Sequence, residues 1–222
     1  MDAVERIKAH IQKYDTRFNM CAPALTKASV LIPLFMKKGE IHVLMTLRSL
    51  KASLKSGAGE VCFPGGKYDP QDHDEIATAL REAEEEIGLP PDKVDVVGKF
   101  VPVLSKSGVL ITPVVACIDD AFQAQPNPEE VSDVFAVPLD YFLAPTNHSS
   151  FHLSWFPGSI HNFYYLDPHS NKEYHIWGLT ALLAVIVSVL AYRRRPTFEV
   201  EFDPEDPLSY LQHSFQLGLS KL

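Results

Sequence analysis

Four glutamates lie within residues 81–89 (REAEEEIGL), and this stretch is the part of the sequence best suited to chemistry. Glu82, Glu85 and Glu86 are spaced i, i+3 and i+4, so their side chains share one face if the stretch is an α-helix. Carboxylate oxygens are the ligands that hard divalent cations such as Mg²⁺ and Mn²⁺ prefer. The spacing therefore predicts a metal site. The alternative is a solvated helix face, which is what most acidic runs are.

Charge repulsion and the residues next to these three glutamates bear on the choice between a metal site and a solvated helix face. Without a cation, mutual repulsion raises the pKa of one or more of the three carboxyl groups, and a bound divalent ion removes that conflict. Glu84 points away from the other three and is expected to face water. Arg81 can hold a neighbouring carboxylate in place through its guanidinium fork.

A glycine turn precedes the acidic stretch. Residues 63–67 (FPGGK) are typical of an apolar strand that breaks sharply at Gly65 and Gly66. Backbone without side chains can approach a phosphate closely or offer a carbonyl oxygen as a ligand. We therefore expect the turn and the acidic stretch to form one site.

The elements that must position this site follow from the hydrophobic pattern. Residues 74–87 form a predicted helix, because apolar residues recur at i, i+3, i+4 and i+7 at Ile76, Ala79, Leu80, Ala83 and Ile87. Gly88 and the two prolines after Leu89 are a stop signal for that helix. A shorter amphipathic helix is predicted at residues 2–14, and a helical turn at residues 139–143.

Apolar and β-branched runs predict the strands. Residues 28–36 and 41–47 flank a Lys-Gly turn and are typical of a hairpin. A second hairpin is predicted from residues 151–156 and 162–166, on either side of Pro157 and Gly158. Further strands are predicted at residues 94–103, 109–118, 134–137 and 173–176. Strands without strict βα alternation indicate an α/β fold with a mixed sheet covered by helices, an α/β/α arrangement.

Bulk properties limit the class of protein. The chain has 222 residues, which we interpret as a single domain over residues 1–222. Its net charge of −8 argues against broad nucleic-acid binding and against attachment to an anionic membrane. Three widely spaced cysteines exclude a disulfide framework and fit a reducing compartment.

One apolar run could be taken for a membrane anchor. Residues 179–192 (LTALLAVIVSVLAY) are followed by three arginines. A spanning helix needs about 20 apolar residues, and shorter runs are more often buried core helices. We therefore predict a buried helix and no membrane span.

The last three residues, Ser220, Lys221 and Leu222, spell SKL. At a C-terminus this tripeptide is a peroxisomal import address that a receptor reads. The alternative is a frayed polar tail. The sequence predicts location in the peroxisome and an import receptor as partner.

Residues 66–89 resemble the Nudix box, whose pattern is glycine, five residues, glutamate, seven residues and REUxEExGU, where U is apolar. Residues 81–89 match the whole second half. The first half departs from the pattern, because fourteen residues instead of thirteen separate Gly66 from Arg81. Depending on the alignment, Asp72 or His73 replaces the early glutamate.

Other segments resemble the coenzyme A branch of the Nudix superfamily, and especially its peroxisomal diphosphatases: residues 47–49, 54–55, 59–67, 127–131, 137–139 and 176–180. The resemblance implies a Nudix-type α/β/α sandwich with a mixed β-sheet. It also implies hydrolysis of the diphosphate of coenzyme A or acyl-CoA, with Mg²⁺ or Mn²⁺, to 3′,5′-ADP and (acyl-)4′-phosphopantetheine. The alternatives are a Nudix pyrophosphatase acting on NADH or ADP-ribose, and a non-catalytic binding module.

The resemblance implies roles for individual residues. Glu82 and Glu86 would hold the metal with assistance from Glu85, and the backbone carbonyl of Gly66 would be a further ligand. Arg81 would support the catalytic carboxylates. The general base varies across the superfamily, and both Glu85 and Glu130 are candidates.

Basic and aromatic residues near the box are candidates for substrate binding. Four basic side chains could supply a local positive field for the substrate phosphates: Arg48, Lys51, Lys55 and Lys67. Lys51 and Lys55 are about as typical of an ordinary loop. Phe63 and Trp177 could line an adenine or pantetheine pocket, although an aromatic residue at a strand end is more often part of the core.

Overall fold

The computed structural model describes residues 2–13, 25–52, 57–105, 107–144, 146–152 and 158–219. Its helices are α1 (Ala3–Ile11), α2 (Glu75–Ile87), α3 (Gly178–Tyr192) and α4 (Pro207–Leu219). Its strands are β1 (Lys27–Lys37), β2 (Glu40–Arg48), β3 (Val61–Cys62), β4 (Gly65–Lys67), β5 (Val94–Lys99), β6 (Val103–Leu104), β7 (Leu110–Ile118), β8 (Val131–Pro138), β9 (His148–His152), β10 (Ser159–Leu166) and β11 (Glu173–Trp177).

The two strands of the first hairpin diverge away from their turn, and the candidate site lies near the gap between them. Lys38 and Gly39 both have positive φ, which matches the two-residue turn that best follows strand twist, and the predicted hairpin is confirmed. Strands β1 and β2 pair only near this turn, over residues 34–37 and 40–43. Farther along, β4 pairs with residues 28–30 of β1, and β3 pairs with residues 46–47 of β2. The segment from β3 to β4 therefore fills the space where the two long strands diverge.

The main sheet is mixed and is covered on both faces. Strand β1 runs parallel to β7, whereas β7 pairs antiparallel with β5 and β2 pairs antiparallel with β8. Because side chains alternate along a strand, Leu31 and Val114 pack with α2, while Ile32 and Val115 pack in the cluster that includes α1 and α3. The predicted α/β/α sandwich with a mixed sheet is confirmed.

One predicted strand is divided in two. The prediction of a single strand over residues 94–103 is wrong, because β5 ends at Lys99 and β6 begins at Val103. A register shift between Val96 and Gly98 already bends β5, and Pro102 cannot donate to a ladder. The chain thus changes course while both pieces still pair with β7.

A second sheet of three antiparallel strands contains β9, β10 and β11. The predicted hairpin pairing is confirmed, with Phe151 opposite Ile160. Its bounds were wrong, because β9 begins at His148 and β10 at Ser159, while residues 153–157 lie outside the described residues. Strand β8 is also longer than the predicted residues 134–137.

Helix α3 is the buried helix that the apolar run predicts. It has 15 residues, and all those from Ala181 to Ala191 are buried. Among the residues that the structure describes, no helix has the length and apolar character needed to cross a bilayer.

Helix α4 was not predicted. It begins at Pro207, a favoured first helical residue, and buries Leu208, Leu211 and Phe215 at i, i+3 and i+7. That spacing was a readable signal for the helix. The tripeptide Ser220–Lys221–Leu222 lies outside the described residues.

Candidate active site

Helix α2 packs on one face of the main sheet, near the place where β1 and β2 diverge. Both of its ends are capped. Its N-cap is Asp74, whose carboxylate accepts a hydrogen bond of 2.8 Å from the Ala77 N–H. It ends at Gly88, which is left-handed with φ of 68°, as glycine readily is. The two caps confirm the predicted helix and fix the rotation of its glutamates towards β4.

Glu86 is the most buried glutamate of the site, with 3% of its surface exposed. One carboxylate oxygen accepts a hydrogen bond of 3.0 Å from the Gly65 N–H, and the other lies 4.0 Å from the Arg48 guanidinium. Burial raises the pKa of Glu86 to about 7, with a smaller contribution from the nearby carboxylates. The Gly65 amide and Arg48 oppose this rise but do not cancel it.

Glu82 lies against the glycine turn. A side-chain carbon at Gly66 would overlap the Glu82 carboxylate, so only glycine allows the two to meet. Burial raises the pKa of Glu82, and Arg81, which contacts it at 3.0 Å, opposes the rise. The sequence argument expected repulsion to raise these pKa values, but burial is the larger cause for both Glu82 and Glu86.

Glu130 reaches the site from a loop far along the chain. The Asn127 N–H donates to the Glu86 carbonyl at 2.9 Å, and the Ser49 N–H donates to the Glu130 carbonyl at 2.8 Å. These two bonds tie the loop to the end of α2 and to the end of β2. As a result, Glu82, Glu86 and Glu130 each offer a carboxylate oxygen, and these oxygens all lie within 4.8 Å of one another.

Glu85 is not part of this group of three carboxylates. Its side chain is 54% exposed and accepts a hydrogen bond of 3.1 Å from Arg81. The assignments of Glu85 as a metal ligand and as a base therefore stay predictions. Glu84 is exposed, as expected from its place on the helix.

Arg81 organises the turn that precedes α2. Its guanidinium binds both carboxylate oxygens of Asp72, at 2.9 and 3.0 Å, and donates to the Lys67 carbonyl at 3.0 Å. These hydrogen bonds hold the pKa of Asp72 at about 2. Of the two residues that could replace the early box glutamate, Asp72 is the one that binds Arg81, whereas His73 is exposed.

The four basic candidates have different environments. Arg48 is nearest the carboxylates, and its buried Nε has no hydrogen-bond partner in the described part of the chain. Lys51 is exposed and lies 3.5 Å from Glu129. Lys67 is exposed at the end of β4, and Lys55 lies outside the described residues.

The two aromatic candidates also differ. Phe63 is 2% exposed and belongs to the hydrophobic core, which was the alternative reading of such a residue. Trp177, at the end of β11, is 38% exposed and lines a pocket.

The donor set suits a hard divalent cation. Three carboxylates converge, two of them have raised pKa values, and the nearest cationic group to Glu86 among the described residues is 4.0 Å away. A cation bound here would stabilise the ionised carboxylates that burial disfavours. The Arg48 side chain beside them is 21% exposed, and its positive charge suits an anionic group on the same substrate.

A sequence model of the NUDIX domain matches residues 25–158, which is more than half of the chain. The chain belongs to the Nudix family. This membership agrees with the box resemblance and with the mixed sheet covered by helices.

Two Nudix relatives are similar over much of the chain. The peroxisomal coenzyme A diphosphatase of Mus musculus is 42% identical over 99% of this chain and 94% of that protein. The mitochondrial Nudix hydrolase 15 of Arabidopsis thaliana is 43% identical over 78% of this chain, which spans 61% of that longer protein. Among solved structures, a MutT/nudix family protein of Enterococcus faecalis is 14% identical over 87% of this chain and 69% of that chain, with a TM-score of 0.45.

Sequence reasoning missed the backbone groups that hold this Nudix site together. The Gly65 N–H donates to the Glu86 carboxylate, and the Asn127 N–H donates to the Glu86 carbonyl at the end of α2. Both donors are backbone groups, so no side chain in the sequence indicates them. The choice of Asp72 over His73 had a partial signal, since only a carboxylate can accept both arms of the Arg81 fork.

Proposed function

We propose that this Nudix protein hydrolyses the diphosphate bond of coenzyme A and acyl-CoA with Mg²⁺ or Mn²⁺. The products would be 3′,5′-ADP and (acyl-)4′-phosphopantetheine. The observation that carries the metal-dependent chemistry is the convergence of Glu82, Glu86 and Glu130 around Gly66. The 42% identity over 99% of the chain to the mouse peroxisomal coenzyme A diphosphatase supports the substrate class.

Glu82 and Glu86 would hold the cation, together with the Gly66 carbonyl, and Glu130 would lie beside them as the candidate base. Such an ion neutralises phosphate charge and makes the phosphorus a better target for water. Glu86 is kept in one orientation by the Gly65 N–H, and Glu82 by Arg81. These contacts leave little freedom in the ligand set before substrate arrives, which is the preorganisation that catalysis needs.

Glu130 is the better candidate for the general base. Arg81 contacts Glu85 at 3.1 Å, and the Glu85 side chain is 54% exposed and lies outside the group of three carboxylates. Glu130 belongs to that group, and no lysine or arginine of the described segments lies within ion-pair distance of it. Glu130 would therefore be the carboxylate placed to accept the proton of the attacking water, and Glu85 would steady Arg81.

Substrate phosphates would meet the Arg48 guanidinium. Its side chain is 21% exposed, and its Nη1 lies 4.0 Å from Glu86, a position that suits a phosphate oxygen of the diphosphate. The exposed Lys51 and Lys67 would add positive charge in a chain whose net charge of −8 otherwise repels anions, and Lys55, outside the described residues, stays a predicted member of this group.

The direct test is an assay with purified protein and Mg²⁺. Coenzyme A, acyl-CoAs, NADH and ADP-ribose are incubated separately, and the products are identified by mass. We expect 3′,5′-ADP and phosphopantetheine species that disappear when a chelator is added. Cleavage of NADH or ADP-ribose with intact coenzyme A would contradict the substrate class, and no cleavage at all would favour a binding module.

A matched pair of variants tests the metal site. Glu86→Gln removes a charged ligand while its amide oxygen can still accept the Gly65 bond, and kcat should fall by more than about 100-fold. Glu84→Gln, two residues away and exposed, should stay within about twofold of the unaltered protein. Near-normal turnover by the Glu86 variant with Mg²⁺ would overturn the ligand assignment.

We also propose that the protein acts in the peroxisome and is imported through Ser220, Lys221 and Leu222. The SKL ending supports this location, and so does the peroxisomal name of the mouse relative.

A further inference from the structure

A pocket of about 580 Å³ lies between the main sheet and the three-stranded sheet. One wall is Leu47 together with residues 59–61, around β2 and β3, and the other comes from β9, β10 and β11. The Thr180 hydroxyl donates to the Val61 carbonyl at 3.2 Å and ties α3, which directly follows β11, to the first wall. Ligand pockets typically measure about 300–1,000 Å³, so the space can take an extended organic group.

The lining of this pocket is aromatic and acidic. Phe151 and Trp177 are 44% and 38% exposed, an unusual degree for such large apolar side chains around one cavity. Further polar groups come from Asn162 and His175, whose side chains are 3.0 Å apart. The charged residues of the described lining are Glu60 and Glu173, and no lysine or arginine is among them.

The pocket adjoins the carboxylate site through a single turn. The Arg48 N–H donates to the Glu60 carbonyl at 3.0 Å, and the Gly59 N–H donates to the Arg48 carbonyl at 3.1 Å. A carbon added at Gly57 would lie 2.9 Å from the Glu60 carboxylate and 3.7 Å from the Arg48 Nε. Both side chains therefore meet the same turn, with Glu60 on the pocket side and Arg48 reaching Glu86 on the other.

Charge decides which part of a diphosphate substrate fits here. Two carboxylates without a lysine or arginine in the described lining repel phosphate by like-charge repulsion. An uncharged chain with amide groups meets no such penalty, because its N–H groups can donate to the carboxylates and its apolar parts can cover the aromatic rings.

We propose that this pocket binds the uncharged pantetheine and acyl end of the substrate, and that Trp177 and Phe151 contact the acyl chain. The proposal rests on the coenzyme A diphosphatase function proposed above. The chain would pass from the carboxylates over the Gly57 turn into the pocket, while the 3′-phosphate end stays outside with the lysines. Acyl-chain preference is then set by the three-stranded sheet and not by the Nudix box.

Trp177 itself provides a binding signal. The chain has two tryptophans, so Trp155→Phe leaves Trp177 as the only one. The Trp155→Phe variant is titrated with S-octanoyl-pantetheine, and separately with 3′,5′-ADP, while the fluorescence emission of Trp177 is followed. We expect a saturable change with S-octanoyl-pantetheine and none with 3′,5′-ADP. A response to 3′,5′-ADP, or no response to either compound, would overturn the proposal.

Kinetics with Mg²⁺ provide the second test. For Trp177→Ala, KM for octanoyl-CoA should rise roughly tenfold while kcat changes little, since truncating an aromatic anchor weakens binding. Leu166→Ala is the control, because Leu166 is 52% exposed on β10 but does not line the pocket. Equal KM values in the two variants would overturn the proposal.

The outcomes separate the two proposals. If coenzyme A is cleaved while Trp177 stays silent and Trp177→Ala has no effect on KM, the pocket assignment fails and the proposed function stands. If Trp177 responds to S-octanoyl-pantetheine but no coenzyme A is cleaved, the pocket stands and the proposed catalytic function fails.

Discussion

At the residue scale, Glu86 carries an electrostatic conflict. Its carboxylate is 3% exposed, accepts one hydrogen bond from a backbone N–H, and lies 4.0 Å from a guanidinium. Interiors disfavour an ionised group with so little compensation, which is why its pKa rises to about 7. The conflict is useful in a metal site, because the cation that would relieve it is also the one that the proposed reaction needs.

This conflict predicts how the metal-free protein responds to pH. The folded state keeps the Glu86 proton up to about pH 7, whereas the unfolded chain releases it near 4.5, so the free energy of unfolding falls as pH rises through that window. Glu86→Gln cannot ionise and should be more stable than the unaltered protein at pH 8, by up to roughly 3 kcal/mol. Urea unfolding at pH 5 and pH 8 measures this difference.

The control for this prediction is Glu84→Gln, which is exposed and should show no such pH effect. Adding Mg²⁺ should raise the stability of the unaltered protein more than that of Glu86→Gln, since a bound ligand stabilises by mass action. A Glu86 variant that is no more stable at pH 8 without metal would contradict the burial argument.

Glu130 and Glu129 are neighbours in different environments, and this provides a second prediction. Glu130 belongs to the carboxylate group, whereas Glu129 is 72% exposed beside Lys51. Glu130→Gln should lower kcat for coenzyme A by about 100-fold or more, which is the usual contribution of a general base or a ligand. Glu129→Gln should keep kcat within about twofold. Similar rates in the two variants would remove Glu130 from the reaction.

At the element scale, the turn before α2 depends on a bidentate pair. Arg81 binds Asp72, the Lys67 carbonyl and two glutamates of its own helix, so one guanidinium connects β4, the turn and the helix. Asp72 is buried, and its low pKa of about 2 measures how strongly the pair favours its charge. The turn therefore keeps its geometry even though the box has one extra residue.

A third prediction follows from this pair. Asp72→Asn should destabilise the protein by about 1–3 kcal/mol at pH 7, because a charge-assisted bond is lost and Arg81 loses its main partner. The stabilisation from Asp72 is present above its ordinary pKa of 3.8 and is lost as pH falls towards 2. The difference in the free energy of unfolding between Asp72→Asn and the unaltered protein should therefore narrow below pH 4.

The comparison variant is His73→Ala, at the exposed neighbouring position. Its stability should stay within about 0.5 kcal/mol of the unaltered protein. A larger loss for His73→Ala than for Asp72→Asn would mean that His73 takes the place of the early box glutamate.

At the scale of the whole molecule, the sandwich and the second sheet have separate tasks. The main sheet and α2 position the carboxylates, whereas β9, β10 and β11 form the wall of the neighbouring pocket. Under the two proposals, the chemistry and the acyl-chain preference depend on different elements, although both sheets share one hydrophobic cluster, as in the stacking of Phe135 on Tyr174.

Location in the cell is also a property of the whole chain. Deleting residues 220–222 should leave turnover of coenzyme A unchanged, since α4 ends before them, and should move the protein from peroxisomes to the cytosol. Microscopy of tagged cells measures location, with the tag at the N-terminus. A chain extended by one glycine after Leu222 should behave like the deletion, and continued import of either would refute the address.

The sequence by itself determined the acidic helix, its stop at Gly88, the first hairpin, the buried helix α3 and the Nudix resemblance. These features depend on local spacing, such as i, i+4 along α2 or the Lys38–Gly39 turn, and neighbours in the chain are enough to specify them. Glu82 and Glu86 could be predicted as site residues for the same reason.

Only the tertiary structure decided which glutamates meet. Spacing placed Glu85 beside Glu86, although Glu85 pairs with Arg81 at i, i+4 on the same helix. The fold brings in Glu130, whose carbonyl accepts from the Ser49 N–H and whose loop is tied to α2 by the bond from the Asn127 N–H to the Glu86 carbonyl. The break between β5 and β6 and the pocket behind Trp177 also arise from contacts between distant segments. Such contacts depend on long-range packing, which leaves no periodic signal in the sequence.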